Sequence, residues 1–194
     1  MDYQEVHELI KMRRSLYPAQ MDETKSIPDE DIWKLLELAN FAPSHKITEP
    51  WRFKVFGGDK VSKFYDTLIQ VNSEWNSVDE MKPIAKKLQG KAEIVSHVIV
   101  LYMKRDPQEK VPAHEEEYAC ACAMQNMLLG MRSLNIIGYW GTGKAAASEA
   151  MRKALKLGEN DKCIGFLQLG VPKILPPDST KRIPGDVKDK VEWM

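Results

Sequence analysis

The residues best suited to binding chemistry are grouped along the chain, and the first group follows the opening helix. Arg13, Arg14 and Ser15 supply two guanidinium groups and a hydroxyl without an acidic neighbour. Guanidinium groups donate hydrogen bonds in a fixed planar geometry, which suits a phosphate or the electron-rich edge of a ring. Cations at a helix C-terminus also complement the helix dipole, and the spacing alone leaves both interpretations open.

A second group lies in the segment APSHKITEPWRFKVF, residues 42–56. His45, Lys46, Thr48 and Glu49 place hydrogen-bonding side chains directly before a strand-like run begins. Binding residues are often carried by loops that a rigid element positions. The segment therefore indicates that a ligand is held at the start of this strand.

The stretch GYWGTGK, residues 138–144, has the glycine and lysine spacing of a phosphate-binding loop. The next residue is Ala145, where a nucleotide hydrolase needs Ser or Thr to hold magnesium. Tyr139 and Trp140 are bulky and stand where backbone amides would have to wrap around phosphate. The stretch therefore disfavours a nucleotide triphosphatase and indicates a tight strand exit whose backbone can approach a flat ligand.

The remaining polar residues indicate neither a metal site nor a hydrolytic triad. The four histidines are scattered, and none has a second ligand at the spacing of zinc motifs. His97 lies in an apolar run and is predicted to be a core residue. The run Glu115-Glu116-Glu117 is most simply a favourable placement at a helix N-terminus. Polar clusters without a nucleophile or an acid–base pair point to a borrowed cofactor that supplies the reactive atom.

Composition limits the partners that the chain can have. Its 194 residues include 28 Lys and Arg and 28 Asp and Glu, so the formal net charge is zero. This balance disfavours nucleic acid or an anionic membrane as the main partner. The N-terminal stretch is charged throughout, unlike a signal peptide, and we expect a cytoplasmic protein. Cys120, Cys122 and Cys163 lack framework or metal-clamp spacing and are expected to be reduced core residues.

The hydrophobic pattern predicts alternating helices and strands in one domain spanning residues 1–194. The predicted helices cover residues 3–14, a segment starting at Pro28 and ended by Pro43, 59–70, 78–90, 115–134 and 145–157. The predicted strands lie at residues 51–56, within 93–105, before the glycine-rich turn at 141–143, and within 163–173. The helix over 115–134 is apolar on nearly every side, which favours a central position or a subunit interface.

Four stretches together resemble the nitroreductase family of flavin mononucleotide (FMN) enzymes. They are Arg13-Arg14-Ser15, APSHKITEPWRFKVF, GYWGTG and IGFLQLGVPK, in the order found in the family and spread from residue 13 to residue 173. The combination of His45 with Glu49-Pro50-Trp51-Arg52-Phe53 resembles most closely the short, minimal YdjA-like branch. Each motif is weak alone, and the four in order carry the resemblance.

The resemblance implies an α+β fold with a central mixed sheet flanked by helices, assembled as an intertwined homodimer with FMN at the interface. It implies an NAD(P)H oxidoreductase that passes hydride through flavin N5 to an electron-poor acceptor such as a nitroaromatic, quinone or enone. Two alternatives remain open. One is a reductive dehalogenase or oxygen-using flavin enzyme on the same fold, with residues 70–90 as a lid. The other is a flavin-holding regulatory dimer.

The resemblance also implies roles for individual residues. Arg13, Arg14 and Ser15 match positions that bind the FMN phosphate, ribityl chain and ring edge. His45 and Glu49 match positions that contact the flavin, from the other subunit. The cofactor-binding residues implied further along the chain are Trp140, Gly141 and Thr142, which lie along the cofactor, and Lys181 and Arg182, which reach its phosphate. No side chain is expected to be a catalytic acid or base, because both substrates stack on one flavin.

The loop before the first strand departs from the pattern of many family members, which have Asn and Gln in place of His45 and Glu49. An ionised carboxylate accepts a hydrogen bond from flavin N3–H but donates none. An anion near the ring is expected to disfavour reduced, anionic flavin and to lower its potential. The alternative interpretation is that Glu49 merely pairs with Lys46 or Arg52 on the surface.

Overall fold

A computed structural model describes residues 2–174 and 184–194, and Lys181 and Arg182 fall outside this range. The strands are β1 (Trp51–Gly57), β2 (His97–Met103), β3 (Ile137–Gly141) and β4 (Lys162–Gly170). The α-helices are α1 (Tyr3–Met12), α2 (Asp29–Asn40), α3 (Lys60–Ser73), α4 (Val78–Ala92), α5 (Ala113–Gly130) and α6 (Glu149–Ala154). Short 3-10 turns lie at Pro18–Gln20, His45–Ile47, Met131–Leu134 and Lys188–Lys190.

The strands form one four-stranded sheet in the order β1-β2-β4-β3. All three pairings are antiparallel, so the described residues do not show the mixed sheet that was expected. The last residue of β1, Gly57, pairs with the first residue of β2, His97. The helices α3 and α4 between these strands therefore return the chain to the end of the sheet that it left. For this reason, β1 and β2 run in opposite directions.

The two faces of the sheet carry separate hydrophobic clusters, and β2 contributes to both. Its alternate residues Ile99, Leu101 and Met103 pack with α2 and α5, whereas Val98 and Val100 pack with α3 and α6. Successive side chains of a strand point to opposite faces. A central strand covered on both faces is therefore apolar along its whole length, as the sequence predicted.

Helix α5 is anchored at its N-terminal end by a buried ion pair. Glu116 is 1% exposed, and its carboxylate accepts hydrogen bonds from Arg105 Nη1 at 2.6 Å and from the Asp106 N–H at 3.2 Å. A buried carboxylate is stable only when it is paired in this way. The pairing holds the loop after β2 against the first turn of the helix.

The other end of α5 corrects the predicted boundary at Leu134. The α-helix stops at Gly130, and a 3-10 turn continues to Leu134 before Asn135 adopts a left-handed conformation with φ 55°. A residue in that conformation ends a helix, because it lets backbone N–H groups at the end donate to the last free carbonyl oxygens. Helix α6 starts later than predicted, because the Ser148 hydroxyl caps it by accepting from the Met151 N–H, and it ends earlier, at Ala154.

The cysteines differ in environment, which corrects the expectation that all three belong to the core. Cys120 and Cys163 are buried, and burial raises the pKa of the Cys120 thiol to about 12 and that of Cys163 to about 11. Cys122 is exposed. It lies two residues after Cys120 on α5, and positions two apart on a helix point in different directions.

Helix α1 carries an apolar face that the described residues do not bury. It is capped by a reciprocal pair of hydrogen bonds between Asp2 and Glu5. None of its residues is buried, and its exposed apolar residues are Tyr3, Val6, Leu9 and Ile10. An isolated helix of ten residues is marginal in water, and packing of an apolar face is what usually stabilises it.

Two negative findings apply to the described residues. None of their helices is both long enough and apolar enough to cross a lipid bilayer. No group of three or more His, Cys, Asp or Glu side chains is arranged among them to hold a metal ion.

Candidate functional site

The structure brings the arginine segment beside the glycine-rich strand. The Leu16 N–H donates to the Gly138 carbonyl oxygen at 3.0 Å, and the rings of Tyr17 and Tyr139 lie 4.8 Å apart. The chain therefore runs next to β3 immediately after Ser15. The arginine segment and the glycine-rich stretch, which are distant in sequence, therefore lie side by side within one chain.

Arg14 serves partly as a helix cap. Its Nη1 donates to the carbonyl oxygens of Lys11 at 2.6 Å and Arg13 at 2.9 Å. This geometry agrees with the simpler interpretation that a cation complements the end of α1. A guanidinium has five N–H donors on three nitrogens, and the cap uses one of these nitrogens, Nη1.

A small cavity of about 40 Å³ adjoins the arginine segment. Among the residues that the structure describes, its charged lining residues are Arg13, Arg14 and Arg132, and none of the described acidic side chains lines it. Apolar residues from the end of α5, including Leu128 and Leu129, form another part of the wall. A cation-rich recess in a chain without net charge is suited to an anion. Arg132 was not singled out from the sequence, because only the fold places the turn after α5 beside α1.

The glycine-rich stretch is a strand exit, as its bulky residues predicted. Residues 138–141 lie in β3, so they do not wrap into a phosphate loop. Trp140 pairs with Leu167 of β4, and its buried Nε1 has no hydrogen-bond partner among the described residues. Thr142 follows the strand and is exposed. Thr142, directly after the partly exposed Gly141, is therefore accessible to a ligand at the end of this strand.

The loop that carries His45 and Glu49 has an unusual backbone. Lys46, Ile47 and Glu49 have positive φ values of 52°, 53° and 41°, a region that residues with a Cβ rarely occupy. Such strain persists only where surrounding contacts hold it, and it is concentrated at functional sites. His45 Nδ1 lies 2.6 Å from Glu115 Oε2 at the start of α5, which ties the loop to that helix.

Glu49 does not form the surface pair with Arg52 that was the alternative interpretation. Arg52 Nη1 donates to the backbone carbonyl oxygen of Glu49 at 2.8 Å. Lys46 Nζ donates to the Lys110 carbonyl oxygen at 3.3 Å. These contacts use the main chain of the loop and of the segment before α5. The carboxylate of Glu49 is exposed.

The His45 loop and the arginine segment lie at opposite ends of α5. The His45 loop contacts Glu115 in the first turn, whereas the arginine cavity is lined by Leu128 and Leu129 in the last turn. At a rise of about 1.5 Å per residue, these ends are roughly 20 Å apart. One chain therefore does not bring the two groups to the same small ligand. Contact of one small ligand with both groups would require a second chain.

Two exposed surfaces are suited to such a second chain. On α5, Tyr118 is 65% exposed and Cys122 is also exposed. These positions are four apart and share one face of the helix. The uncovered apolar face of α1 adjoins the arginine cavity, since Leu9 and Met12 line it. Uncovered apolar faces of this kind mark interaction surfaces.

His97 confirms the prediction that it is a core residue with its hydrogen bonds satisfied. It is 3% exposed, with Nδ1 2.9 Å from Ser96 Oγ and Nε2 3.2 Å from Asp29 Oδ1. Ser96 Oγ also accepts from the Ile27 N–H at 2.8 Å. These groups resemble a hydrolytic triad in composition only, because the serine oxygen is engaged in holding the start of α2.

A larger cavity of about 1270 Å³ lies beside the free edge of β1 and the exposed side of α2. Trp33 and Phe41 line it and are 71% and 78% exposed. Glu49 also lines this cavity. Neither His45 nor the arginine segment lines this cavity. The cavity therefore does not connect the His45 loop with the arginine segment.

Comparison with known proteins identifies related sequences and folds. Residues 10–171 match the family model described as Nitroreductase family. YdjA of Escherichia coli (strain K12), which carries the provisional name NAD(P)H nitroreductase, is 30% identical over 145 residues, covering 75% of this chain and 78% of YdjA.

Solved structures show the same fold. A nitroreductase-like family protein from Bacillus cereus has a TM-score of 0.85 at 23% identity, covering 100% of this chain and 98% of that chain. The FMN-dependent nitroreductase NfnB from Mycobacterium smegmatis, solved in complex with NADPH, has a TM-score of 0.73 at 17% identity, covering 98% of each chain. At these identities, the likeness concerns the fold alone.

Gly165 on β4 is predicted to be essential for placing the glycine-rich strand. Its φ is +144°, and an added Cβ would lie 2.5 Å from Trp140 Nε1 and 2.6 Å from the Gly141 carbonyl oxygen. We expect Gly165→Ala to lower the free energy of unfolding by about 2 kcal/mol or more, measured by urea denaturation. The control Gly143→Ala meets no atom within 4 Å and is expected to change it by less than about 0.5 kcal/mol. Equal losses in the two variants would contradict the assignment.

Proposed function

We propose, because the chain belongs to the nitroreductase family, that it is an FMN-dependent NAD(P)H oxidoreductase acting on electron-poor acceptors such as nitroaromatics, quinones or enones. The observation that carries the proposal is the separation of two ligand-binding groups by the length of α5. This arrangement suits a cofactor held between two chains. The FMN-dependent nitroreductase NfnB, which shares the fold, was solved with NADPH, and this supports the choice of cofactor and donor.

The side chains present fit the chemical groups of FMN. The recess lined by Arg13, Arg14 and Arg132 places three guanidinium groups, which bind phosphate in a planar, bidentate geometry, around one small cavity. Ser15 is exposed next to this recess and can donate to the ribityl chain. We also assign phosphate contacts to Lys181 and Arg182, which lie outside the described residues.

The flat part of FMN requires a surface without projecting side chains. Gly141 and Thr142 follow Trp140 at the end of β3, and a glycine backbone allows close approach of a ring. From the partner chain, His45 and Glu49 would face the same ring, with the Glu49 carboxylate accepting from its N3–H. Arg13 or Arg14 would stabilise negative charge on the ring side nearest the phosphate.

When bound, FMN supplies the ring that exchanges hydride between a nicotinamide and an acceptor. The protein residues then bind, orient and tune that ring, and no side chain has to transfer a proton. This division is consistent with a sequence in which neither a nucleophile nor a catalytic acid–base pair could be identified. Positioning and electrostatics are sufficient contributions for a protein that binds such a cofactor.

The alternative of a lid-bearing dehalogenase or oxygen-using enzyme has less support. The region proposed as a lid, residues 70–90, consists mostly of the end of α3 and of α4, with only residues 74–77 between them. Trp75 in that connection lies against Lys144, with Nζ 4.5 Å from the ring centroid. The region is therefore a packed helix pair, and the regulatory-dimer alternative is left to the test of reduction by a nicotinamide.

Purified protein is expected to bind FMN and to absorb at about 450 nm, as oxidised flavins do. Anaerobic addition of NADH or NADPH should bleach this band, and an electron-poor acceptor should restore it. Stopped-flow absorbance with each nicotinamide measures both steps. Protein that cannot be reconstituted with FMN would contradict every flavin function. Bound flavin that neither nicotinamide reduces would favour the regulatory dimer.

Glu49→Gln is expected to raise the midpoint potential of bound FMN, because it removes an anion beside the ring. A rise of about 30 mV, equivalent to about 1.4 kcal/mol for a two-electron couple, is the expected scale. Redox titration against a reference dye measures it. The control Glu93→Gln changes an exposed carboxylate at the end of α4 and should leave the potential unchanged. An unchanged or lower potential in Glu49→Gln would count against the assigned position.

A further inference from the structure

The carboxylate of Glu115 makes a specific contact that its place in the sequence did not predict. Glu115 Oε2 lies 2.6 Å from His45 Nδ1, which is the length of a strong, charge-assisted hydrogen bond. The two residues are separated by 70 positions in sequence, so the contact depends on the fold. The side chain of His45 remains 58% exposed and that of Glu115 is 33% exposed.

The contact determines which ring nitrogen of His45 carries a proton. An ionised carboxylate only accepts hydrogen bonds, so Nδ1 must be the protonated, donating nitrogen. The remaining nitrogen, Nε2, lies on the opposite side of the imidazole ring and is directed away from Glu115. Free histidine in water has no such constraint on its ring orientation. Glu115 therefore fixes both the tautomer and the orientation of His45.

Glu115 lies on a rigidly held helix turn, whereas His45 belongs to a loop with a strained backbone. The first turn of α5 is held by the buried Glu116–Arg105 pair at 2.6 Å. The loop residues after His45 have the positive φ values of Lys46 and Ile47, which a free loop would tend to relax. A rigid helix holding a strained loop is the arrangement that keeps a binding side chain in one geometry.

The three consecutive glutamates have different partners, so Glu115 is not simply one member of an acidic helix start. Glu116 is buried against Arg105, and Glu117 pairs with Lys162 at 2.7 Å near the surface. Among the described contacts of these three glutamates, only that of Glu115 is with a residue of the proposed flavin site. Glu117 therefore offers a matched control of the same type and charge two positions away.

We propose that Glu115 is a positioning residue of the flavin site, which holds His45 in the Nδ1-protonated form so that Nε2 faces the cofactor bound mainly by the partner chain. This inference rests on the proposed FMN-binding function. It adds a residue that touches no cofactor and acts only through His45. It also explains why a histidine can replace an amide in this loop: the carboxylate gives the imidazole a single orientation.

The first test is independent of the cofactor. Nitrogen-15 NMR of the full-length protein, without added flavin, should show His45 with Nδ1 protonated. In Glu115→Ala, the signal should change towards the pattern of an unconstrained histidine, whereas in Glu117→Gln it should stay as in the wild type. A wild-type His45 whose Nδ1 carries no proton would overturn the inference whether or not the protein binds FMN.

The second test measures FMN affinity by fluorescence quenching. Loss of one orienting hydrogen bond in Glu115→Ala should weaken binding roughly three- to tenfold. Glu115→Gln keeps an acceptor oxygen for Nδ1–H and should restore most of the affinity, and Glu117→Gln should bind like the wild type. In a His45→Ala background, Glu115→Ala should cause no further loss, because the residue acts through His45.

The outcomes separate this inference from the proposed function. Wild-type protein that binds no FMN overturns both. Wild-type protein that binds FMN, with a Glu115→Ala loss that persists undiminished in the His45→Ala background, shows a purely structural role and overturns the inference alone. Unchanged FMN affinity in Glu115→Ala overturns it as well. If Glu115→Ala fails to fold, a Glu115→Gln variant with the wild-type His45 signal and near-wild-type affinity supports the inference, and one without them overturns it.

Discussion

The length and rigidity of α5 are the constraint on which the proposed site depends. The helix holds the His45 loop through Glu115 at one end and lines the arginine cavity with Leu128 and Leu129 at the other. Its core-facing residues, such as Cys120, Ala123 and Met127, are buried, so its position relative to the sheet is fixed. The two groups cannot approach each other within one chain. A ligand that uses both must therefore be bound by two chains.

The same constraint gives a consistent explanation for surfaces that would otherwise be unfavourable. The chain leaves Tyr118 of α5 and the whole apolar face of α1 exposed, although apolar area in contact with water costs about 25 cal/mol per Å². Each exposed face lies close to one of the two groups proposed to bind the ligand. Association of two copies through these faces would bury apolar surface and assemble the site in the same step.

Sequence patterns were sufficient to locate most of the helices and strands, because these elements depend on neighbouring residues. The apolar run of β2 and the helical spacing of apolar residues in α2 are recognisable in the sequence. The resemblance to the family proposes Arg13 and His45 as cofactor-binding residues. The sequence did not reveal which distant segments of the chain come into contact. Arg132 enters the cavity only because the turn after α5 packs beside α1, and Glu115 meets His45 across 70 residues. The antiparallel pairing of β1 with β2 likewise follows from the helix pair α3 and α4 that returns the chain, which periodicity does not reveal.

The central claim is that each flavin site uses the arginines of one chain and the loop of another. It is tested most directly by mixing two variants that each fail to retain FMN: Arg13→Glu, and His45→Ala with Glu49→Ala. If the site spans two chains, random reassociation of equal amounts gives one intact site in each mixed dimer, so about one quarter of all sites should regain FMN. If the mixture retains no more FMN than the separate variants, the site lies within one chain and the account is wrong.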